Sequence, residues 1–454
     1  MPQYKEFHLE SGVNKMTNKK KFGVTLFIIL FSYFLILMDN SIIFTSTVKI
    51  ANDLDMNQAT LAWVSNAYTI TFGGFLLLAG RLGDLIGRKK IFITGLLIFG
   101  ISSLFVGLSN SAPMIIIARA IQGIGSAIIA PTSLALLMDN YAGEMRSKAI
   151  AYYGATAGIG SSFGLLLGGW LTSAISWRAG FLINVPFALF LLVLSLFSIK
   201  VTSVTKQRVD YLGAVLSVVM SIIFVYGITI SNLVLILLSI LIGAGFVYYE
   251  RKIDFPLIPM SLFRNRIRSS SYIVRFIFMM AMLTYWFILP QIMQHMYHFT
   301  PLQSGMGFIP LTIVNFAAAL YLPKLTVKYG NGKVMILGQS ILLLGVVIST
   351  LVNPHSGYLF TMGLPMILIG AGQGWLLAPL TAAGITGVAP EEAGAASGMT
   401  NVMHQLGGPV GLSIVVLFTS NIVDLSNYYQ SVMSFISSFL FVGLIILLIN
   451  NRKN

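Results

Sequence analysis

The sequence predicts an all-α polytopic membrane protein with fourteen transmembrane helices. Hydrophobic residues make up 56% of its 454 residues and charged residues only 9%, whereas about a quarter of the residues in a soluble domain are charged. Apolar stretches of about 20 residues recur along the chain, and each can cross roughly 30 Å of hydrocarbon as a helix. The alternating stretches of about ten residues that typify a membrane barrel are not seen.

The apolar stretches place the predicted helices at about 23–48, 58–80, 90–108, 111–138, 146–173, 178–199, 211–230, 232–250, 269–295, 302–322, 334–352, 357–386, 392–420 and 428–450. The first helix follows the basic run that ends at Lys21. It is too long for the apolar part of a signal peptide and lacks a small-residue cleavage pattern. We therefore expect it to remain as a permanent helix.

The basic residues indicate which side of the membrane each loop faces. With the N-terminus inside, only Lys49 and Arg178 lie outside, and Arg119 and Arg275 lie within helices, which leaves 24 of the 28 Lys and Arg residues inside. This positive-inside bias accounts for the net charge of +14 without a nucleic-acid partner. We expect a multi-pass protein of the cytoplasmic membrane with both termini in the cytoplasm and the lipid bilayer as its surroundings.

A weak internal repeat indicates how the helices are grouped. Gly87 in the first half aligns with Gly330 in the second, and Pro131 aligns with Pro379. Duplication of a six-helix unit is a known transporter architecture, with the substrate site between the halves. The predicted organisation is a cytoplasmic segment 1–22, a six-helix bundle 23–200, a linker 201–268 with two additional helices, a six-helix bundle 269–450 and a cytoplasmic tail 451–454.

Several kinds of chemistry are not indicated by the sequence. The chain has no cysteine, which excludes disulfides, thiolate metal sites and a cysteine nucleophile. It has no G-x-x-x-x-G-K-[ST] motif for binding nucleotide phosphates. No catalytic constellation, metal-ligand cluster or cofactor motif is visible, so we do not expect an enzyme.

Asp39 is the residue that most needs a functional explanation. It lies deep in the first apolar stretch, in a chain that has only 14 acidic residues. A carboxylate in hydrocarbon is costly and usually marks an ion or substrate pathway.

Arg119 in the fourth predicted helix is the expected partner of Asp39. At 1.5 Å per residue, Asp39 lies about 15 Å and Arg119 roughly 12 Å below the outer ends of their helices. Pairing would lower the cost of burying both charges. Burial favours the neutral acid and a nearby cation favours the carboxylate, so this Asp could load and release a proton. Gln122 lies one turn from Arg119 as a possible polar partner.

The loop 80–90, GRLGDLIGRKK, joins the second and third predicted helices on the cytoplasmic side. Its glycines allow a tight turn and close helix approach, and its acid can accept charge-assisted hydrogen bonds. We predict a conformational latch that breaks when the cytoplasmic side opens. Its residues are Gly80, Asp84, Gly87 and Arg88.

The segment 80–90 resembles the signature loop of the major facilitator superfamily. Other segments resemble the 14-span drug:proton antiporters of that superfamily: 37–43 (LMDNSII), 63–68 (WVSNAY), 118–125 (ARAIQGIG) and 177–186 (WRAGFLINVP). The resemblance covers nearly the whole chain. It implies the major facilitator fold, two six-helix bundles plus two central helices, and bacterial multidrug efflux by drug/H⁺ exchange.

The resemblance implies that Asp39 and Arg119 couple transport to protons, and that a monomer exports amphipathic, often cationic, drugs. The candidate substrate-binding residues are Asp39, Asn40, Tyr68, Gln122, Trp286, Asn315, Gln373, Trp375 and His404. Arg275 lies only about 10 Å from the inner end of its helix, so we expect it to snorkel.

The fifth predicted helix carries glycines at spacings of four, which favour close helix packing. They are Gly160, Gly164 and Gly168, followed by Gly169. The resemblance implies a motif that helps to close the pathway in antiporters. That motif usually has Pro after its central Gly, where this chain has Leu165.

Other functions remain open on the sequence alone. A narrow-specificity exporter, such as one for tetracycline, or a proton-coupled uptake symporter would have the same architecture. The alternative role for Asp39 and Arg119 is a static structural ion pair. The alternative from another class of protein is a sensor or an assembly scaffold. Such a protein would not need the deep ion pair or the repeat.

Overall fold

Fourteen helices that are long and apolar enough to cross a membrane account for most of the described chain. The structure is a computed structural model that describes residues 22–200, 210–389 and 392–451. Residues 1–21 of the predicted N-terminal segment and 452–454 of the predicted tail lie outside this part. The helices are α1 Val24–Asp53, α2 Gln58–Ile86, α3 Arg88–Gly107, α4 Ala112–Asn140, α5 Gly143–Ala174, α6 Trp177–Ser198, α7 Tyr211–Thr229, α8 Leu233–Glu250, α9 Arg266–Met296, α10 Pro301–Tyr329, α11 Asn331–Leu351, α12 Leu359–Gly384, α13 Ala393–Thr419 and α14 Leu425–Asn450.

These helices confirm the predicted fold class and number of spans. Each predicted stretch overlaps one helix, but several helices continue past the apolar stretch that predicts them. α1 extends to Asp53 and α2 to Ile86, because polar residues at the water interface can continue a helix without crossing hydrocarbon. α6 is interrupted at Ile183, and α10 is interrupted at Gly307 and Phe308.

Two glycines separate helix pairs at matching places in the two halves. Gly87, between α2 and α3, has φ +103°, and Gly330, between α10 and α11, has φ +79°. These are left-handed conformations that glycine adopts without the steric cost of a Cβ atom. The two glycines aligned by the internal repeat therefore make similar turns.

The two halves contact one another along α2 and α13. Asn66 of α2 donates a hydrogen bond to Ser413 of α13 at 3.0 Å. Further along the same pair, Gly73 packs against Gln405 and Gly398 packs against Leu77. α7 and α8 pack together, and α7 lies against both α2 and α13. The two additional helices are thus attached beside this long contact.

The glycines of α5 bring α5 directly against α1. A Cβ atom on Gly160 would lie 3.2 Å from the Phe34 carbonyl oxygen, and one on Gly168 would lie 2.8 Å from the Ile42 Cα atom. Gly164 faces the backbone of Met38 so closely that there is no space for a Cβ atom. The predicted packing face is therefore present in the structure, and it positions the part of α1 that carries Asp39.

We predict that Gly164→Ala destabilises the protein by about 1–3 kcal/mol, the usual cost of overpacking. The added methyl group would meet Met38 backbone atoms, which cannot move aside as a side chain can. Gly158→Ala in the same helix is the matched control, because nothing lies within 4 Å of its Cβ position and Ala is the better helix former. Thermal unfolding of the detergent-purified protein measures both. Equal unfolding temperatures for the two variants would contradict the prediction.

Candidate functional site

Asp39 accepts three hydrogen bonds from side chains in the interior of the N-terminal half. Its Oδ2 atom accepts from Arg119 Nη1 at 2.7 Å. Its Oδ1 atom accepts from Gln122 Nε2 at 2.9 Å and from Asn184 Nδ2 at 2.7 Å. All four residues have 0% exposure. The predicted pairing of Asp39 with Arg119 is therefore confirmed as a fully buried ion pair.

Arg119 is held by several further contacts. Its Nε atom donates to the Val64 carbonyl oxygen at 3.1 Å, and its Nη1 atom also donates to Gln122 Oε1 at 2.6 Å. The guanidinium carbon lies 4.2 Å from the centre of the Tyr68 ring and 5.5 Å from that of Phe181. Groups on α1, α2 and α6 therefore hold the guanidinium of Arg119 in one orientation. Because Arg119 belongs to α4, the ion pair connects four helices.

Local features of α4 and α6 bring these side chains together. Arg119 and Gln122 are three residues apart on α4, so they share a helix face. Gly123 follows them and allows α4 to approach the Tyr68 carbonyl oxygen, where a Cβ atom would not fit. The interruption of α6 at Ile183 lets its second part begin with Asn184. Asn184 was not predicted, although a lone amide within the apolar run FLINVP could have indicated it.

A cavity of about 2000 Å³ lies between the two halves. It reaches the ends of α2 and α4 beside the segment 80–90, and it is also lined by α5 and α10. Of the candidate substrate-binding residues, five line it: Asn40, Trp286, Asn315, Gln373 and His404.

Four other candidates do not line the cavity and are corrected here. Asp39, Tyr68 and Gln122 are turned into the N-terminal half and fully buried. Trp375 instead donates a hydrogen bond to the Ala318 carbonyl oxygen at 3.0 Å and joins α12 to α10. The physical reason is helical phase: Asp39 and its neighbour Asn40 point about 100° apart, and only Asn40 faces the cavity.

Arg275 is a cavity residue that the sequence analysis misplaced. It does not snorkel to the membrane surface; it is 8% exposed and lines the cavity. Its Nη1 atom donates to the Leu377 carbonyl oxygen at 3.0 Å and to Thr381 Oγ1 at 3.3 Å. Position along the helix axis gave its depth, but the direction in which it points depends on how α9 packs against α12.

The charged residues of the predicted latch make side-chain contacts at the end of the protein that the cavity reaches. Arg88 donates to Asp84 Oδ1 from Nη2 at 2.9 Å and also pairs with Asp139 of α4. Arg81 donates to the carbonyl oxygens of Phe255 and Pro256 in the segment before α9. That this segment acts as a latch which breaks when the cytoplasmic side opens stays a prediction. Gly80 lines the cavity beside it and Gly87 forms the turn.

At the opposite end, the two halves contact each other directly. Gln58 donates to Gln291 at 2.7 Å, and Gln294 donates to the Thr45 carbonyl oxygen at 3.2 Å. Gly169 of α5 packs against the backbone of Pro301 and Leu302 at the start of α10. The glycine that ends the predicted helix-5 motif therefore contributes to closing this end.

Metal binding finds no support in the geometry of the described ranges. No group of three or more His, Cys, Asp or Glu side chains there could hold a metal ion.

Comparison with known proteins gives consistent matches over most of the chain. Residues 29–412 match the model of the Major Facilitator Superfamily. The chain is 33% identical over 390 residues to an uncharacterized MFS-type transporter, EfpA, of Mycobacterium tuberculosis, covering 83% of this chain and 73% of that protein. It is 33% identical over 405 residues to the cephamycin export protein CmcT of Amycolatopsis lactamdurans, covering 86% and 83%.

The fold also matches a solved structure. A bacterial homologue of the human lysosomal transporter Spinster, in an inward-facing and occupied conformation, superposes with a TM-score of 0.68. The two are 14% identical, and the match covers 95% of this chain and 97% of the other. This likeness concerns the fold alone.

We predict that Arg119→Gln lowers the free energy of unfolding by about 3–5 kcal/mol, because it leaves the Asp39 carboxylate buried without a cation. The double variant Asp39→Asn/Arg119→Gln should lose less than the sum of the single losses, since residues in one network are not additive.

A double-mutant cycle on the detergent-purified protein measures this coupling. Arg178→Gln is the control, because its pair with Asp53 has side chains that are 34% and 45% exposed. Such a surface pair contributes about 1 kcal/mol or less. Additive losses for Asp39 and Arg119 would contradict the prediction.

Proposed function

Because the chain belongs to the Major Facilitator Superfamily, we propose that it exports amphipathic drugs from the cell in exchange for protons. The observation that carries the proposal is a wholly buried ion pair between Asp39 of α1 and Arg119 of α4, beside a cavity that extends to one side of the protein. The relative CmcT, an export protein for cephamycin, supports export as the direction of transport. The other partners of the protein are the lipid bilayer and the proton, and a monomer carries out the transport.

The positive-inside bias supports the orientation. The cavity reaches the basic segment 80–90, so its mouth faces the cytoplasm. The same bias in the basic residues supports cytoplasmic termini and a location in the cell membrane. A drug enters from the cytoplasm or the inner leaflet. In the alternate state this end closes and the opposite end opens.

Proton coupling follows from the chemistry of Asp39. As a carboxylate it accepts from Arg119, Gln122 and Asn184. A proton on Asp39 would replace the ion pair by a neutral acid next to a buried cation, which changes the relative stability of the contacts among α1, α4 and α6. A proton taken up from the outer side and released on the inner side would thus shift the balance between two conformations.

Drug and proton communicate through α1 rather than through a shared carboxylate. Asp39 is not exposed to the cavity, whereas its neighbour Asn40 lines it. A rotation or tilt of α1 on protonation would therefore alter the cavity wall. In this scheme the drug and the proton do not compete for one carboxylate. Protonation of Asp39 instead has to stabilise one of the two conformations more than the other.

Beside the apolar packing that the two halves share, the contacts that must separate in the alternate state are individually weak. They are neutral side-chain hydrogen bonds such as Gln58–Gln291 and the glycine contact of Gly169 with Pro301. A typical neutral hydrogen bond contributes about 1 kcal/mol. Contacts of this strength can be exchanged for others as the halves move.

We predict that Asp39→Asn abolishes drug transport driven by a pH gradient while drug binding is retained. The amide cannot gain or lose the coupling proton. Fluorescent-drug transport in inside-out vesicles, compared with the same vesicles after the gradient is collapsed, measures coupling, and equilibrium binding measures the cavity. Asp55→Asn is the matched control, since Asp55 is exposed just beyond the same helix and its φ of +48° suits Asn. Gradient-driven transport by Asp39→Asn at the wild-type rate would refute the role of Asp39.

We also predict that Asn40→Cys reacts with a membrane-impermeant maleimide from the cytoplasmic side. The chain has no cysteine of its own, so this label is unique. Adding Gly169→Val should slow that reaction, because the new side chain meets Pro301 and disfavours closure of the outer end. Gly245→Val, with open space at its Cβ position and outside the cavity lining, is the control. Faster labelling from the outer side of the parent Asn40→Cys variant would reverse the assigned orientation.

A further inference from the structure

Arg275 brings a positive charge into the cavity between the halves. It lies nine residues from the start of α9, about 14 Å along the helix, and is more than nine-tenths buried. Its hydrogen bonds go to the neutral oxygens of Leu377 and Thr381. Its Nε atom has no hydrogen-bond partner among the described residues.

No carboxylate of the described chain neutralises this charge. Arg275 belongs to none of the ion pairs found in residues 22–200, 210–389 and 392–451. The acidic residues of the cavity lining are Asp84, which pairs with Arg88, and Asp254. Both stand near the mouth, at the end of α2 and in the loop after α8. Asp39 is turned away and is already occupied by its own cation.

Other residues that line the cavity also have hydrogen-bonding atoms without a partner among the described residues. Gln373 Oε1, His404 Nδ1 and Asn40 Oδ1 have no partner among the described residues, and all three side chains line the same cavity. Buried polar atoms normally have partners. The apolar part of the lining includes Phe72, Met279, Leu283, Trp286 and Phe308. The cavity thus combines an unpaired cation, a few polar atoms and a large apolar wall.

We propose that this cavity binds amphipathic anions, with a carboxylate or sulfonate group of the ligand on the Arg275 guanidinium and its apolar body on the aromatic wall. The proposal rests on the proposed export function and names the class of cargo. A buried cation is costly when it is unpaired, and an anionic ligand supplies the missing charge. A guanidinium also presents paired donors that match a carboxylate.

An amphipathic cation fits this site less well. The expectation of a cationic cargo depends on a carboxylate in the cavity, and Asp39 does not line it. A cation near Arg275 would meet a like charge at low dielectric, which is unfavourable. The alternative role for Arg275 is a structural tie between α9 and α12 through the Leu377 carbonyl oxygen. In that role Arg275 would not affect the affinity for anionic ligands more than the affinity for neutral ones.

Binding of two related dyes distinguishes these roles. The full-length protein in phosphatidylcholine nanodiscs is titrated with 8-anilinonaphthalene-1-sulfonate, an anion, and with N-phenyl-1-naphthylamine, which has the same rings without the sulfonate. Empty nanodiscs supply the background. Arg275→Gln should weaken binding of the anion by about ten- to a hundredfold, the range expected for a lost charged hydrogen bond, and leave the neutral dye unchanged.

Two further variants separate charge from geometry and from general electrostatics. Arg275→Lys should recover part of the affinity for the anion. Arg81→Gln removes another cation of the cavity lining, near the mouth, and should change the affinity for the anion much less than Arg275→Gln. Equal weakening of both dyes by Arg275→Gln, or no weakening of either, would overturn the proposal.

The wild-type protein provides a test that does not depend on any variant folding. Decanoate should displace the anionic dye, and decyltrimethylammonium at the same concentration should not. Equal displacement by both would refute charge selection. Displacement by phosphatidylglycerol but not by decanoate would assign the site to a lipid headgroup and overturn a soluble cargo. All these measurements are made without a pH gradient, so their failure would leave proton coupling through Asp39 untouched.

Discussion

The contact between Asp39 and Arg119 constrains the whole N-terminal half, since neither charge can reach water. Each must be satisfied by the protein, and the satisfying groups come from α2, α4 and α6 as well as α1. The rotational phase of α1 is therefore set by an electrostatic requirement. With Asp39 facing inward, Asn40 faces the cavity. The glycines of α5 then allow that helix to pack against the same part of α1.

This arrangement separates the site that would carry the proton from the site that would carry the cargo. The buried acid lies inside one bundle, and the cavity lies between the bundles. They share α1, α2 and α4, and on α1 the acid Asp39 is followed directly by the cavity residue Asn40. In the proposed mechanism a change at Asp39 reaches the cavity as a movement or a change in the stability of these helices, with no direct contact between proton and drug.

The halves differ in their charges more than in their shape. The N-terminal half holds a neutralised ion pair away from the cavity, whereas the C-terminal half exposes Arg275 to it without an acidic partner among the described residues. A ligand that passes the charged residues at the mouth therefore meets the positive charge of Arg275 deeper in the cavity, among polar and aromatic groups. This difference in charge underlies the proposed preference for anionic cargo, although the two halves share their helix order and the turns at Gly87 and Gly330.

The membrane class, the fourteen helices and the pairing of Asp39 with Arg119 could all be predicted from the amino-acid sequence. They depend on segment length, hydropathy and depth along a helix, and all three can be counted along the chain. The packing of the folded chain sets the direction in which each side chain points. It turned Tyr68, Gln122 and Trp375 away from the cavity and turned Arg275 into it. It also added Asn184 to the hydrogen-bond donors of Asp39 through the interruption of α6. Depth follows from the rise per residue, but rotation about the helix axis is set by packing against neighbours that lie far away in sequence.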